Sequence, residues 1–210
     1  MGRNFYNLEQ TEWAKELEAN FEVIREEMIS VLEKNKGHWV SPHPDYVQGE
    51  QWRTFELVFF GMKLNKNLNE CPKTAELLTK IPELITADFS VLPPQTDILP
   101  HKGYSRMITR CHLPLIVPKG DLGIEVNGEK RFWEEGKLIS FDDSLIHRAW
   151  NHTNEVRVVM MIDVPSENYN YTADQICRYK LENMDDPYLL KMADRASWLK
   201  MYENGEFSLM

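Results

Sequence analysis

The sequence predicts a mainly β protein with helical flanks, its strands forming an antiparallel sandwich or barrel of jelly-roll type. Three observations carry this. Short apolar runs follow one another between about Leu84 and Val164, turn residues punctuate them, and periodicity returns to a helical spacing on either side. The expected organisation is one domain over 1–210: a helical part over 1–83, a jelly-roll core over 84–165 and a helical tail over 166–210.

Each element has a local reason. Trp13, Leu17, Phe21, Ile24, Met28 and Leu32 recur at steps of four, four, three, four and four, one apolar stripe on a long helix, with Gly37 as its stop. A second helix is expected over 72–81, where Pro72 suits a first helical position and Pro82 ends it. Strands are expected at 89–92, 105–117 and 122–126. Asn127-Gly128 then marks a hairpin, because both central positions of a type I′ turn need positive φ. Further strands follow near 130–133 and 137–141, around a Glu135-Gly136 turn, and over the apolar run 156–164. Helical spacing resumes from about Thr172, with Leu189, Leu190, Met192, Trp198 and Leu199.

Composition narrows the function. The chain has 210 residues, 42% hydrophobic and 27% charged, with 24 Lys+Arg against 33 Asp+Glu and a net charge of −9. Non-specific nucleic-acid binding runs on clustered cations displacing counterions, so a nucleic-acid partner is disfavoured. No secretory signal or bilayer-spanning run is read, and the three widely spaced cysteines read as free thiols, so the expected location is cytoplasmic.

Histidines and arginines are the informative residues. His101 and His147 are too far apart for an i, i+4 zinc motif, but suit two ligands on different strands of a barrel, as at a non-haem Fe(II) site; satisfied core or surface histidines are the alternative. Strand alternation puts Arg110 and His112 on one face, and an inward Arg requires an anion. Arg157 opens the otherwise apolar run 157–162, where a guanidinium suits bidentate carboxylate recognition; a strand-end charge reaching solvent is the alternative. Two inward arginines beside a metal would bracket a small dicarboxylate. His152 reads as a surface turn residue, His38 and His43 as loop residues, and Trp13, Trp133 and Trp198 as structural.

Pro100-His101-Lys102-Gly103, Arg110-Cys111-His112-Leu113, Trp133-Glu134-Glu135-Gly136-Lys137, Phe141-Asp142-Asp143-Ser144 with His147, and Arg157 together resemble the aspartyl/asparaginyl β-hydroxylase family. The resemblance runs from about Trp52 to Val164. It implies a double-stranded β-helix and an Fe(II)/2-oxoglutarate-dependent dioxygenase that consumes O₂ and hydroxylates an unactivated carbon with release of succinate and CO₂. His101 and His147 resemble the iron ligands. Gly103 stands where most 2-oxoglutarate dioxygenases carry Asp or Glu, a departure this family shares. Asp143 is then expected to hold a water in that position, while Asp142 has a turn or capping role as its alternative. The cosubstrate would lie between Arg157 at one end and Ser90, Arg110 and His112 at the other. Asp88 and Ile108 stand where relatives acting on protein Asp or Asn carry basic residues, with Arg106 as a possible substitute. This points to a small-molecule, peptide or carrier-bound substrate instead. The alternative to an enzyme is a catalytically inactive cupin-like binding module, for which Gly103 is the argument; a cupin-type zinc isomerase or hydrolase is a third reading.

Overall fold

The computed structural model describes residues 3–8, 11–34, 39–40 and 46–207. Two antiparallel sheets pack face to face. The larger is built from β1 (Phe5–Tyr6), β3 (Arg53–Phe59), β4 (Met62–Lys63), β5 (Thr86–Leu92), β7 (Ile108–Ile116), β10 (Ile139–Asp142) and β12 (Arg157–Pro165), in the order β1-β10-β7-β12-β5-β3-β4. The smaller, β2-β6-β11-β8-β9, comprises β2 (Val47–Gln48), β6 (Thr96–His101), β8 (Leu122–Val126), β9 (Glu129–Arg131) and β11 (His147–Asn151). From β5 onward the chain alternates between sheets, with only β8 and β9 consecutive in one. This is the expected jelly roll.

The larger sheet divides its side chains by alternation. Ala87, Phe89, Val91, Cys111, Leu113, Val158, Met160 and Ile162 face outward into an apolar cluster. Leu17, Ile24, Met28 and Val31 of the N-terminal helices and Leu77 and Leu78 of a later helix cover it. Each such fully buried aliphatic side chain contributes about 1.5–3 kcal/mol. The opposite face, toward the smaller sheet, carries Leu92, Phe141 and Val159 against Ile98, Ile124, Val126 and Ala149, and it also carries the polar residues described below.

Several local expectations hold. Asn127 and Gly128 have φ of 48° and 83° and join β8 to β9. A helix begins at Pro72, although it ends at Leu78 rather than 81. Thr172 and Gln175 form a capping box at the start of α5 (Ala173–Glu182), which is followed by α6 (Pro187–Met192) and α7 (Arg195–Asn204).

Two expectations are corrected. The single N-terminal helix is two, α1 (Glu12–Ala19) and α2 (Phe21–Lys34), because Asn20 leaves helical geometry and its side chain donates to Glu16 O. The apolar stripe survives the break, since Leu17, Ile24 and Met28 share one buried cluster. The expected stop at Gly37, with His38 and His43, lies outside the described residues. The segment before residue 84 is also not only helical: β3 lies between β5 and β4 in the larger sheet, with Glu56 paired to Asp88. The tail helices cover that end, where Trp198, Met201 and Ile176 pack with Phe60, Ile85 and Ile108.

Candidate active site

His101 closes β6 and His147 opens β11, and the two are register partners. Their ring centroids are 4.3 Å apart. Each Nδ1 donates to the carbonyl two residues earlier, Leu99 O at 2.7 Å and Leu145 O at 2.9 Å. A carbonyl only accepts, so this contact puts the proton on Nδ1 and leaves Nε2 bare. Burial pushes both imidazoles down to about 4, aided at His101 by the proximity of His147, so both are neutral at neutral pH. Tyr46 stacks on His101 at 4.8 Å.

Asp143 is fully buried beside them. Its Oδ1 lies 3.6 Å from His147 Nε2, and 2.9 Å from Arg110 Nη1 but out of hydrogen-bonding alignment. Burial raises this carboxyl to about 6 against the opposing pull of Arg110. Gly103 N donates to Asp143 O at 2.8 Å, and a Cβ built on Gly103 would fall 1.4 Å from Asp143 Oδ2. A side chain at 103 is therefore excluded by the Asp143 carboxylate, which fills the space from the turn after β10. Asp142 has the turn role, accepting from Ser144 N and Oγ at 3.0 and 2.6 Å. Two bare imidazole nitrogens and one set-back carboxylate are an N/O donor set suited to iron. Among the described residues no group of three or more His, Cys, Asp and Glu is arranged to hold a metal ion.

A second group lies around Arg157, which is only 1% exposed and so does not reach solvent. Its Nη1 donates to Ser90 O at 3.3 Å, its guanidinium sits 4.7 Å from the Trp133 ring centre, and its Nε has no partner. Burial without a contacting carboxylate lowers it to about 9. Trp133 Nε1 donates to His112 Nδ1 at 3.3 Å, and burial next to Arg157 and Arg110 holds this imidazole neutral. The His112 proton is then on Nε2, which is buried and unpartnered. Ser90 Oγ accepts from Trp52 Nε1 at 2.9 Å, leaving its own proton to give. Three donors thus stand together without an anion.

Arg110 is placed differently from expectation. Ser90 and His112 group with Arg157, not with Arg110 at an opposite end. The anion that an inward Arg110 requires is already in the chain: Asp163, its register partner on β12, accepts from Nε and Nη2 at 2.9 and 2.8 Å. Tyr104 Oη also donates to Asp163, at 3.0 Å. Arg106 is exposed and lies over Tyr169, and Ile108 is buried under the tail helices. His152 is a surface residue held between Asp97 and Asp121. Sequence reasoning missed Asp163, Glu56 and the role of Trp133. The available signals were a lone carboxylate at even spacing from Arg157 on an apolar strand, and polar residues at alternate positions around Phe55. A cavity of about 570 Å³ opens at His101, Gly103 and Arg110, walled by Trp52, Phe60 and Leu189.

Comparison with known proteins gives the family. The family model described as Aspartyl/Asparaginyl beta-hydroxylase matches residues 18–167. An ornithine lipid ester-linked acyl 2-hydroxylase of Rhizobium tropici is 37% identical over 158 residues, covering 72% of this chain and 56% of that protein. The human aspartyl/asparaginyl beta-hydroxylase is 33% identical over 159 residues, covering 73% of this chain and 21% of that protein. A solved oxidoreductase of the 2OG-Fe(II) oxygenase family from Burkholderia pseudomallei aligns with TM-score 0.46 and 10% identity, covering 66% of this chain and 77% of that one. The matched span holds both histidines, Asp143 and the Arg157 group, and this chain belongs to the aspartyl/asparaginyl β-hydroxylase family.

Proposed function

We propose that this chain is an Fe(II)- and 2-oxoglutarate-dependent dioxygenase that hydroxylates an unactivated carbon of an amino acid, peptide, carrier-bound or related small substrate. One observation carries the reading. Two neutral histidines with bare Nε2 atoms share an interior with two unpartnered donors, Arg157 Nε and His112 Nε2, and the adjoining Ser90 hydroxyl, a group that calls for an anion. In this reading His101 and His147 hold the iron. Asp143 orients a water in the place that a carboxylate at 103 would take.

Arg157, His112 and Ser90 take the far carboxylate of the cosubstrate, and Trp133 keeps the His112 proton on the nitrogen that faces it. Arg110 acts through Asp143 and Asp163, its charge already met. Iron, 2-oxoglutarate and O₂ supply the oxidising power when bound, yielding succinate and CO₂ as C–H becomes C–OH. Trp52, Phe60 and Leu189 give the cavity its apolar wall. The relative named as an acyl 2-hydroxylase brings acyl carbons within the substrate class. The three cysteines are free and buried, which supports a reducing, cytoplasmic location. Among the described residues no helix is long and apolar enough to cross a membrane.

The test is succinate formation from 2-oxoglutarate with Fe(II) and ascorbate over a panel of amino acids, peptides and acyl amides. Wild type is expected to form succinate and His147→Ala is not. Absence of iron-dependent succinate across the panel would instead favour a binding module.

A further inference from the structure

Adjoining the cavity at His101 is a second of about 230 Å³, which shares Trp52, Phe60, Tyr104, Arg110, Asp186 and Leu189 with it. Its floor is the inner face of the larger sheet. Glu56 on β3 and Asp88 on β5 are direct register partners there. Like charges directly opposite each other on a sheet repel, so this pairing needs a reason. Glu56 Oε1 accepts from Thr54 Oγ1 at 2.8 Å, but Oε2 is buried without a partner. Asp88 is 2% exposed, lines the same cavity, and its Oδ1 is also unpartnered. Arg110 cannot serve both, since its donors are already engaged by Asp163 with Asp143 alongside. The rest of the lining combines apolar and aromatic side chains, Phe59, Phe60, Leu189, Met192 and Trp198, with the polar Thr86, Asp163 and Asp186.

We propose that this cavity seats a cationic group of the substrate, an ammonium or guanidinium on an apolar stem, against the Glu56 and Asp88 carboxylates. The proposal rests on reading the adjoining cavity as a hydroxylase's substrate chamber. An organic cation fits both halves of the cavity. The two carboxylates give it acceptors, and the aromatic rings take its stem and present their negative faces to the charge. A bare inorganic cation gains nothing from the apolar and aromatic side of this lining, whereas an organic cation uses both sides. Burial holds both carboxyls above their ordinary range, with Asp163 adding to the rise of Glu56, at about 7, and Glu56 adding to that of Asp88, as expected for acids whose cation is not yet in place.

The test needs no turnover. Binding of n-hexylammonium, n-hexanol and hexanoate to the full chain is measured by titration calorimetry. In parallel, 2-oxoglutarate is titrated in the presence of Mn(II). Hexylammonium is expected to bind at least about tenfold more tightly than the alcohol or the acid, and Asp88→Asn with Glu56→Gln is expected to abolish that preference. The probe ranking in wild type stands even if the double variant does not fold, and Glu56→Gln alone provides a milder variant. Equal binding of the three probes, a preference untouched by the amides, or displacement by equimolar sodium would overturn the proposal. Loss of 2-oxoglutarate binding with the ammonium preference intact would sink the hydroxylase reading and leave the cation seat standing. Intact cosubstrate binding without the preference would do the reverse.

Discussion

At one end of the barrel interior Arg157 lies buried with no carboxylate in hydrogen-bonding contact. At the other, Glu56, Asp88 and Asp163 lie around Arg110. The ends share strands: on β5 Ser90 belongs to the first and Asp88 to the second, one alternation apart, and on β12 Arg157 and Asp163 face the same interior. A fold optimised only for stability would bring these opposite excesses together. Kept apart, each retains unpartnered polar atoms, Arg157 Nε and His112 Nε2 at one end and carboxylate oxygens of Glu56 and Asp88 at the other. Arg110 shows what satisfaction looks like, because Asp163 and Asp143 outweigh its burial and hold it charged well above its ordinary range. Arg157, by contrast, is pulled down to about 9.

Replacing each arginine with Met should therefore give opposite results, and this is the strongest way to break the comparison. Arg110→Met leaves Asp163 and Asp143 buried without their cation, and a loss of about 3–5 kcal/mol in unfolding free energy is expected by urea titration. A loss below about 1 kcal/mol would mean that those carboxylates do not depend on it. Arg157→Met removes a charge that has no contacting anion. Its unfolding free energy should stay level or rise by about 1 kcal/mol, while 2-oxoglutarate affinity falls roughly 10- to 100-fold, the worth of about 1.5–3 kcal/mol for a bond to a charged group. A large fall in stability without a change in affinity would make Arg157 a structural residue.

The sequence made one of these ends more legible than the other. Arg157 stood out because it opened an apolar run, and His101 and His147 because a barrel can join residues distant in the chain. The hairpin at Asn127-Gly128 was legible because its geometry is local. What escaped was whatever register decides. Asp163 meets Arg110 only because β12 and β7 pair as they do, and a slip of one residue would turn Asp163 outward. Glu56 escaped because β3 lies before the expected core, and its neighbour Asp88 is set by the β3–β5 ladder. Asn20 broke the N-terminal helix without disturbing the apolar stripe, so periodicity alone did not reveal it.

The acidic end also predicts a pH dependence. Glu56 is raised from 4.5 to about 7, first by burial and then by Asp163, against Thr54 and Arg110; Asp88 opposite it is raised too. The folded state then holds protons that the unfolded chain releases first. The associated stability is fully present below about pH 4.5 and is lost as pH rises through about 7. Glu56→Gln should remove most of this slope, raising stability at pH 8 relative to wild type by on the order of 1–3 kcal/mol and leaving it near wild type at pH 4. Denaturant titrations across that range check the sign; an effect equal at both ends would mean that Glu56 is already paired.

The smallest expected effect sharpens the opposite end. Trp133→Phe keeps the ring under Arg157 but removes the N–H that His112 Nδ1 accepts. The neutral imidazole is then free to move its proton from Nε2 to Nδ1, and the donor available to an anion is shared between two orientations. A loss of about fivefold in 2-oxoglutarate affinity is expected, near 1 kcal/mol for one neutral hydrogen bond. Nitrogen NMR of His112 should show the tautomer ratio moving with it. A residue that merely filled space would lower the melting temperature without shifting that ratio, so the spectrum separates the two roles even if the affinity change is slight.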